Sequence, residues 1–235
     1  MAVPAHPSVP QRVPRRYLRP PVPLHFPVDE QMPEGMLHRL LMNRLWLSVE
    51  NELAGRALIS SDQFLYWDPT DPKKCLAPDV AVQLGGHPAV LKSWKTWELG
   101  APHVAVEIVS DSDRAARDLE LKLARYRQAG IAELARFDSD DAATPLRLWD
   151  LIDGDLVERD MSDPEATRCD ALGLYWCVVR DPQLGPTLRL AHDRGGERLV
   201  PTTEEAARAR EVEGQARELA AQARIAELEA ALRTR

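Results

Sequence analysis

Hydrophobic and polar positions alternate most regularly just after His103, where Val104, Val106 and Ile108 interleave with Ala105, Glu107 and Val109. That two-residue period predicts a strand. Both of its faces are apolar, so it is expected at the centre of a sheet covered on both sides. Glu107 is then a carboxylate in a strand with no wet face, where a charge has to neutralise, pair or bind a metal. A weaker copy of the pattern opens at Asp79 and runs through Val80, Val82 and Leu84. Beyond the central strand the period becomes helical over about 114–129. Leu119, Leu123 and Tyr126 form one stripe, Lys122 falls inside it, and Gly130 stands where a left-handed cap is preferred. A lysine turned to the core beside a strand with a buried glutamate implies that the two meet.

The rest of the chain reads as follows. A helix is predicted from Pro33, with Met36, Leu37, Leu40, Leu41, Leu45, Leu47 and Val49 as its apolar positions; Glu34 sits in its first turn, where an acid favours the helix dipole, and His38 follows one turn later. Strands are expected at 57–60 and 63–67, with Asp62 and Gln63 between them facing a cleft. Lys92, Trp94, Lys95 and Trp97 interleave charge with aromatic rings, which suits either a single nucleic-acid strand or a loop tucked down by its tryptophans. Further strands are predicted at 134–137 and 172–179. Hairpins are predicted across Asp153-Gly154, a strong type I′ signal, and across Gly195-Gly196, where 188–191 would pair with 199–200. These later strands are expected to extend or cap the sheet.

Three segments result: a proline-rich basic tail over 1–28, a main domain over 29–200, and a long charged helix over 201–235. Thr202 or Thr203 with Glu205 can cap that helix. Its apolar residues Val212, Leu219, Ile225, Leu228 and Leu232 keep no strict heptad, so a coiled coil near the end and a charge-laced single helix both stay open. Self-association is its expected role.

Composition narrows the class. The chain has 235 residues, 44% of them hydrophobic, enough for one well-filled domain with appendages. Cys75, Cys169 and Cys177 form no CxxC pair and suit a reducing compartment as buried small hydrophobes. No run is apolar enough for a membrane span, so a cytoplasmic protein without membrane contact is expected. The net charge of −7 requires any nucleic-acid ligand to find a local basic patch.

Two carboxylates and a lysine gathered from two strands and the following helix are what metal-assisted phosphodiester cleavage needs. A structural Glu–Lys ion pair gives the same pattern. Pro78-Asp79-Val80, the run Glu107-Ile108-Val109-Ser110, then Asp118, Lys122 and Tyr126 at four-residue spacing, and finally Gly130 together resemble the signature of the Uma2 family of restriction endonucleases. That family is a branch of the PD-(D/E)XK nuclease superfamily. The resemblance covers roughly 32–190 and implies an α/β fold: a restriction-endonuclease-like mixed central sheet flanked by helices, with added β-hairpins and, in this chain, the long C-terminal helix. It implies a DNA endonuclease using Mg2+ or Mn2+, held by Asp79, Glu107 and the Ile108 carbonyl, with Lys122 orienting water or offsetting charge and Glu34 as an auxiliary acid. Two departures stand out: Ser110-Asp111-Ser112 replaces Ser-Pro-Ser, and 134–137 lacks the family's aromatic pair. A nuclease-fold module that binds nucleic acid or protein without turnover is the alternative.

Overall fold

The computed structural model describes residues 35–86, 91–110 and 116–233. The expectations for 1–28 and for Glu34 lie outside the described residues. Helix α1 (Met36–Leu53) leads to strands β1 (Ala57–Ser60), β2 (Leu65–Tyr66), β3 (Cys75–Leu76), β4 (Val80–Leu84) and β5 (Trp94–Lys95). A short helix α2 (Thr96–Leu99), strand β6 (Val104–Ile108) and helix α3 (Ala116–Ala129) follow. Next come β7 (Glu133–Phe137), β8 (Leu146–Ile152), β9 (Asp155–Glu158), β10 (Ala166–Cys169), β11 (Leu174–Asp181), β12 (Gly185–Ala191) and helix α4 (Thr203–Arg233).

Six strands form the central sheet in the order β1-β4-β6-β7-β8-β9. Only β6 and β7 run parallel, because α3 carries the chain back across the sheet between them; the remaining neighbours are antiparallel. All five residues of β6 are buried, as expected of a strand apolar on both faces. Alternation sends Val104, Val106 and Ile108 into one core with Leu41, Leu45 and Val49 of α1, and sends Ala105 into the other with Tyr126 and Ala129 of α3.

The later strands divide between the two roles expected of them, β8 and β9 extending the central sheet and β10 to β12 capping it. β10, β11 and β12 form their own antiparallel sheet instead of extending the central one. Trp176, Leu188 and Leu190 from this sheet fill the core on the α1 face, where the apolar side of β6 needs cover. The partner of β12 is β11, joined through a turn with Gly185 at φ +74°. The expected pairing across Gly195-Gly196 is present as a short antiparallel bridge of Leu199 to Ala191, with the Val200 amide donating to the Leu190 carbonyl at 2.8 Å and the His192 amide to the Arg198 carbonyl at 2.9 Å. In the loop the Asp193 carboxylate takes the amides of Glu197 and Arg198 at 3.0 and 2.9 Å. The hairpin of β8 and β9 does turn on Asp153 and Gly154, both at positive φ (51° and 85°). The loop with two tryptophans is tucked by one of them: Trp94 is fully buried and donates its indole N–H to the Gly100 carbonyl at 2.9 Å, while Trp97 is 44% exposed.

Candidate functional site

β4 and β6 pair antiparallel with Val80 opposite Val106, so Asp79, one residue before β4, stands across from Glu107. Two acids thus meet where β4 begins and β6 ends. Glu107 is 9% exposed. Its Oε2 accepts a hydrogen bond from Lys122 Nζ at 2.7 Å, and its Oε1 accepts one from the Tyr126 hydroxyl. Lys122 and Tyr126 lie one turn apart on α3, which is why both reach the same carboxylate. The Lys122 side chain is 37% exposed, so its ammonium enters from the rim of the site.

Asp79 is held by two other elements. Its Oδ2 accepts the Ile108 amide N–H at 2.6 Å, and its Oδ1 lies 3.0 Å from Nε2 of the buried His38 on α1. Burial pushes the Glu107 carboxyl from its ordinary 4.5 up to about 7; Lys122 pulls it down and the nearby Asp79 charge pushes it up again. A small cleft opens beside Glu107, walled by Val109, Leu119, Lys122, Tyr126, Leu134 and Arg136.

Asp79, Glu107, Ile108 and Lys122 therefore come together. Glu34 and the side chain of Asp118 lie outside the described residues. Asp62 adopts φ 48° and donates its amide to the Pro78 carbonyl at 3.1 Å, lacing its loop to the segment that presents Asp79. Gln63 turns away and bonds to the Leu91 carbonyl.

The sequence reading missed two partners. His38 is the first, and its pairing with Asp79 depends on how α1 crosses the sheet. Arg136 is the second: it pairs with Glu107 across the parallel rung of β6 and β7 and lines the same cleft. A signal for it existed, since it is the one charge in the otherwise apolar run Leu134, Ala135, Phe137. A third buried acid, Glu133, plays no part in the cleft. It accepts from the Trp176 indole at 2.8 Å and the Asp170 amide at 3.0 Å, tying the two sheets together.

Among the described residues, no group of three or more His, Cys, Asp or Glu is arranged to hold a metal ion. The donor set on offer is two carboxylates with a neighbouring main-chain segment. That set fits magnesium or manganese, hard ions of which magnesium takes one or two carboxylates and keeps several waters. It does not fit a closed structural site.

The α/β sheet thus presents an acid pair and a lysine at the end of its central strands. The chain belongs to the Uma2 family, described as "Putative restriction endonuclease", whose sequence profile matches residues 28–179. A crystal structure of a "putative nuclease belonging to DUF820" from Anabaena variabilis is similar at 13% identity and a TM-score of 0.42, covering 67% of this chain and 78% of that one. No curated protein matches the chain. No helix among the described residues is long and apolar enough to cross a membrane.

Proposed function

We propose that this protein is a metal-dependent endonuclease that hydrolyses DNA phosphodiester bonds. The observation behind this reading is the pairing of Glu107 with Lys122 at 2.7 Å directly across the sheet from Asp79. Asp79 and Glu107 would hold Mg2+ or Mn2+ with the Ile108 carbonyl, and Glu34 would serve as the auxiliary acid. When bound, the ion supplies polarisation of a phosphoryl oxygen and a more acidic water. His38 and the Ile108 amide fix the Asp79 carboxylate, and Tyr126 fixes Glu107, so neither acid has to reorganise during the reaction. Lys122 reaches the site from its solvent edge, where its ammonium can orient the attacking water and offset charge building on the phosphate. Self-association through α4 belongs to the same proposal.

Purified protein is expected to nick supercoiled plasmid with Mg2+ or Mn2+. Glu107→Gln and Lys122→Ala should each lower the rate by at least about 100-fold, the usual loss when an electrostatic group is removed from a reaction centre. Equal cleavage by both variants and the parent would assign the activity to a contaminant. Calorimetric titration with Mn2+ adds a readout independent of turnover: heat that persists in Asp79→Ala and Glu107→Gln would leave a non-catalytic nuclease-fold module as the better description.

A further inference from the structure

Two successive strand pairings place three charged residues in one row across the sheet, and Asp79 stands at its acidic end. Asp79 stands across from Glu107, Glu107 pairs with Arg136, and Arg136 pairs with Arg147. Laterally paired residues project to the same face, so Glu107, Arg136 and Arg147 all turn to the α3 face at about 4.8 Å per strand, while Asp79 closes the row just before β4 with its carboxylate held by His38 of α1. Two contacts confirm the face. Arg136 walls the cleft with Glu107 and Lys122. Arg147 stacks its guanidinium 4.9 Å from the centre of the Trp149 ring, and Trp149 belongs to the core under α3.

We propose that Arg136 and Arg147 form a phosphate-binding track that receives the DNA backbone next to the bond being cut. The inference rests on the nuclease reading above and adds the surface that grips the substrate. The row changes sign along its length: acids suited to a cation at one end, guanidinium groups suited to phosphate at the other. A chain of net charge −7 needs such a local patch to hold a polyanion.

Arg147 is poised for exchange. Glu158 engages its Nε and Nη2, each at 2.7 Å, in a pair whose side chains are 34% and 45% exposed. The pair is bidentate but stays in reach of water, and a phosphate offers the same fork of acceptors, so it can compete with Glu158 for the guanidinium. The Trp149 ring keeps the group in place meanwhile.

The test uses the full chain and a fluorescein-labelled duplex of mixed sequence, with Glu107→Gln as the background for binding. Arg136→Ala and Arg147→Ala are each expected to weaken binding about five-fold at low salt and to flatten the slope of log K against log salt by about 0.9. Arg136→Lys and Arg147→Lys should keep the slope. Glu158→Gln should tighten binding by about two- to five-fold, a gain that a purely structural Arg147 would not give. With Glu107 restored, the alanine variants should raise KM and leave kcat within about two-fold, as for loss of uniform binding. Unchanged affinity and slope in protein that still cuts DNA would overturn the track alone. Parent protein that neither binds nor cuts the duplex would overturn the nuclease reading and the track together. Should the alanine variants unfold, an absent gain in Glu158→Gln decides against the track.

Discussion

Glu107 is held between opposed influences. The strand buries it, which favours the neutral acid, and Asp79 adds repulsion, while Lys122 and the Tyr126 hydroxyl favour the carboxylate. Burial wins, and the group titrates near 7 instead of 4.5. Between those two values the folded protein holds a proton that the unfolded chain has released. Stability from this group is therefore complete below about 4.5 and is lost as pH rises to about 7. The loss is on the order of 3 kcal/mol in metal-free protein. Glu107→Gln cannot ionise, so its urea stability in EDTA should be flatter over this window and overtake the parent at pH 8. Lys122 does not offset that gain, since its 37% exposed side chain can rehydrate when the carboxylate is gone. Parallel pH profiles for parent and variant would show that burial does not destabilise this carboxylate. Under the proposed function a divalent cation would offset the negative charge that Glu107 and Asp79 bring together, which gives so costly an acid a use.

At the scale of elements, the site depends on how α3 ends. Gly130 takes φ +77°, the Ile131 amide reaches back to the Tyr126 carbonyl at 3.3 Å, and the fully buried Ile131 then starts the approach to β7. A Cβ at position 130 would lie 3.5 Å from that of Ala101, an ordinary contact, so Gly130→Ala should cost only the left-handed backbone penalty, about 1–2 kcal/mol. Urea denaturation reads this, and nicking should persist because Lys122 and Tyr126 sit upstream of the cap. A loss well beyond that range would mean that the α3 to β7 connection had rearranged. The cap, the α3 stripe and the strand around Glu107 were legible in sequence because each is a local pattern: a glycine at a helix end, a 3.6 period, a two-residue period. Convergence of Asp79, Glu107 and Lys122 could be inferred, since a charge in an apolar strand and one in an apolar stripe each need a partner. The position of β10 to β12 was not legible. Leu174, Trp176, Leu188 and Leu190 are apolar enough to join the central sheet or to pack on its face, and only the uncovered side of β6 decides between these. Arg136 and His38 escaped for the same reason, since register and helix crossing are set by contacts distant in sequence.

At the scale of the whole molecule, α4 is the outlier. Its start is well anchored. Thr202 and Glu205 form a reciprocal capping box at 3.1 and 2.8 Å, and the buried Arg189 pairs with Glu205 at 2.7 Å. Past that turn the helix has no buried residue, and Val212, Leu219, Ile225, Leu228 and Leu232 are 50–72% exposed. Ion pairs such as Arg217 with Glu213 and Arg233 with Glu229 each add a few tenths of a kcal/mol, too little to make an unsupported helix of this length more than marginal in water. Its exposed leucines and isoleucine therefore call for cover, and the proposed cover is α4 of a second copy. Light scattering of the full chain should give a mass above the 26.3 kDa of one copy. Ending the chain after Arg208 keeps the capping box and removes the exposed stripe, so the truncated protein should be monomeric, melt within about 2 °C of the parent and nick plasmid at an unchanged rate per site, since no core contact is lost. A full chain that runs as a monomer at high micromolar concentration would rule out self-pairing of α4. A truncated protein that still associates would move the interface onto the sheet domain.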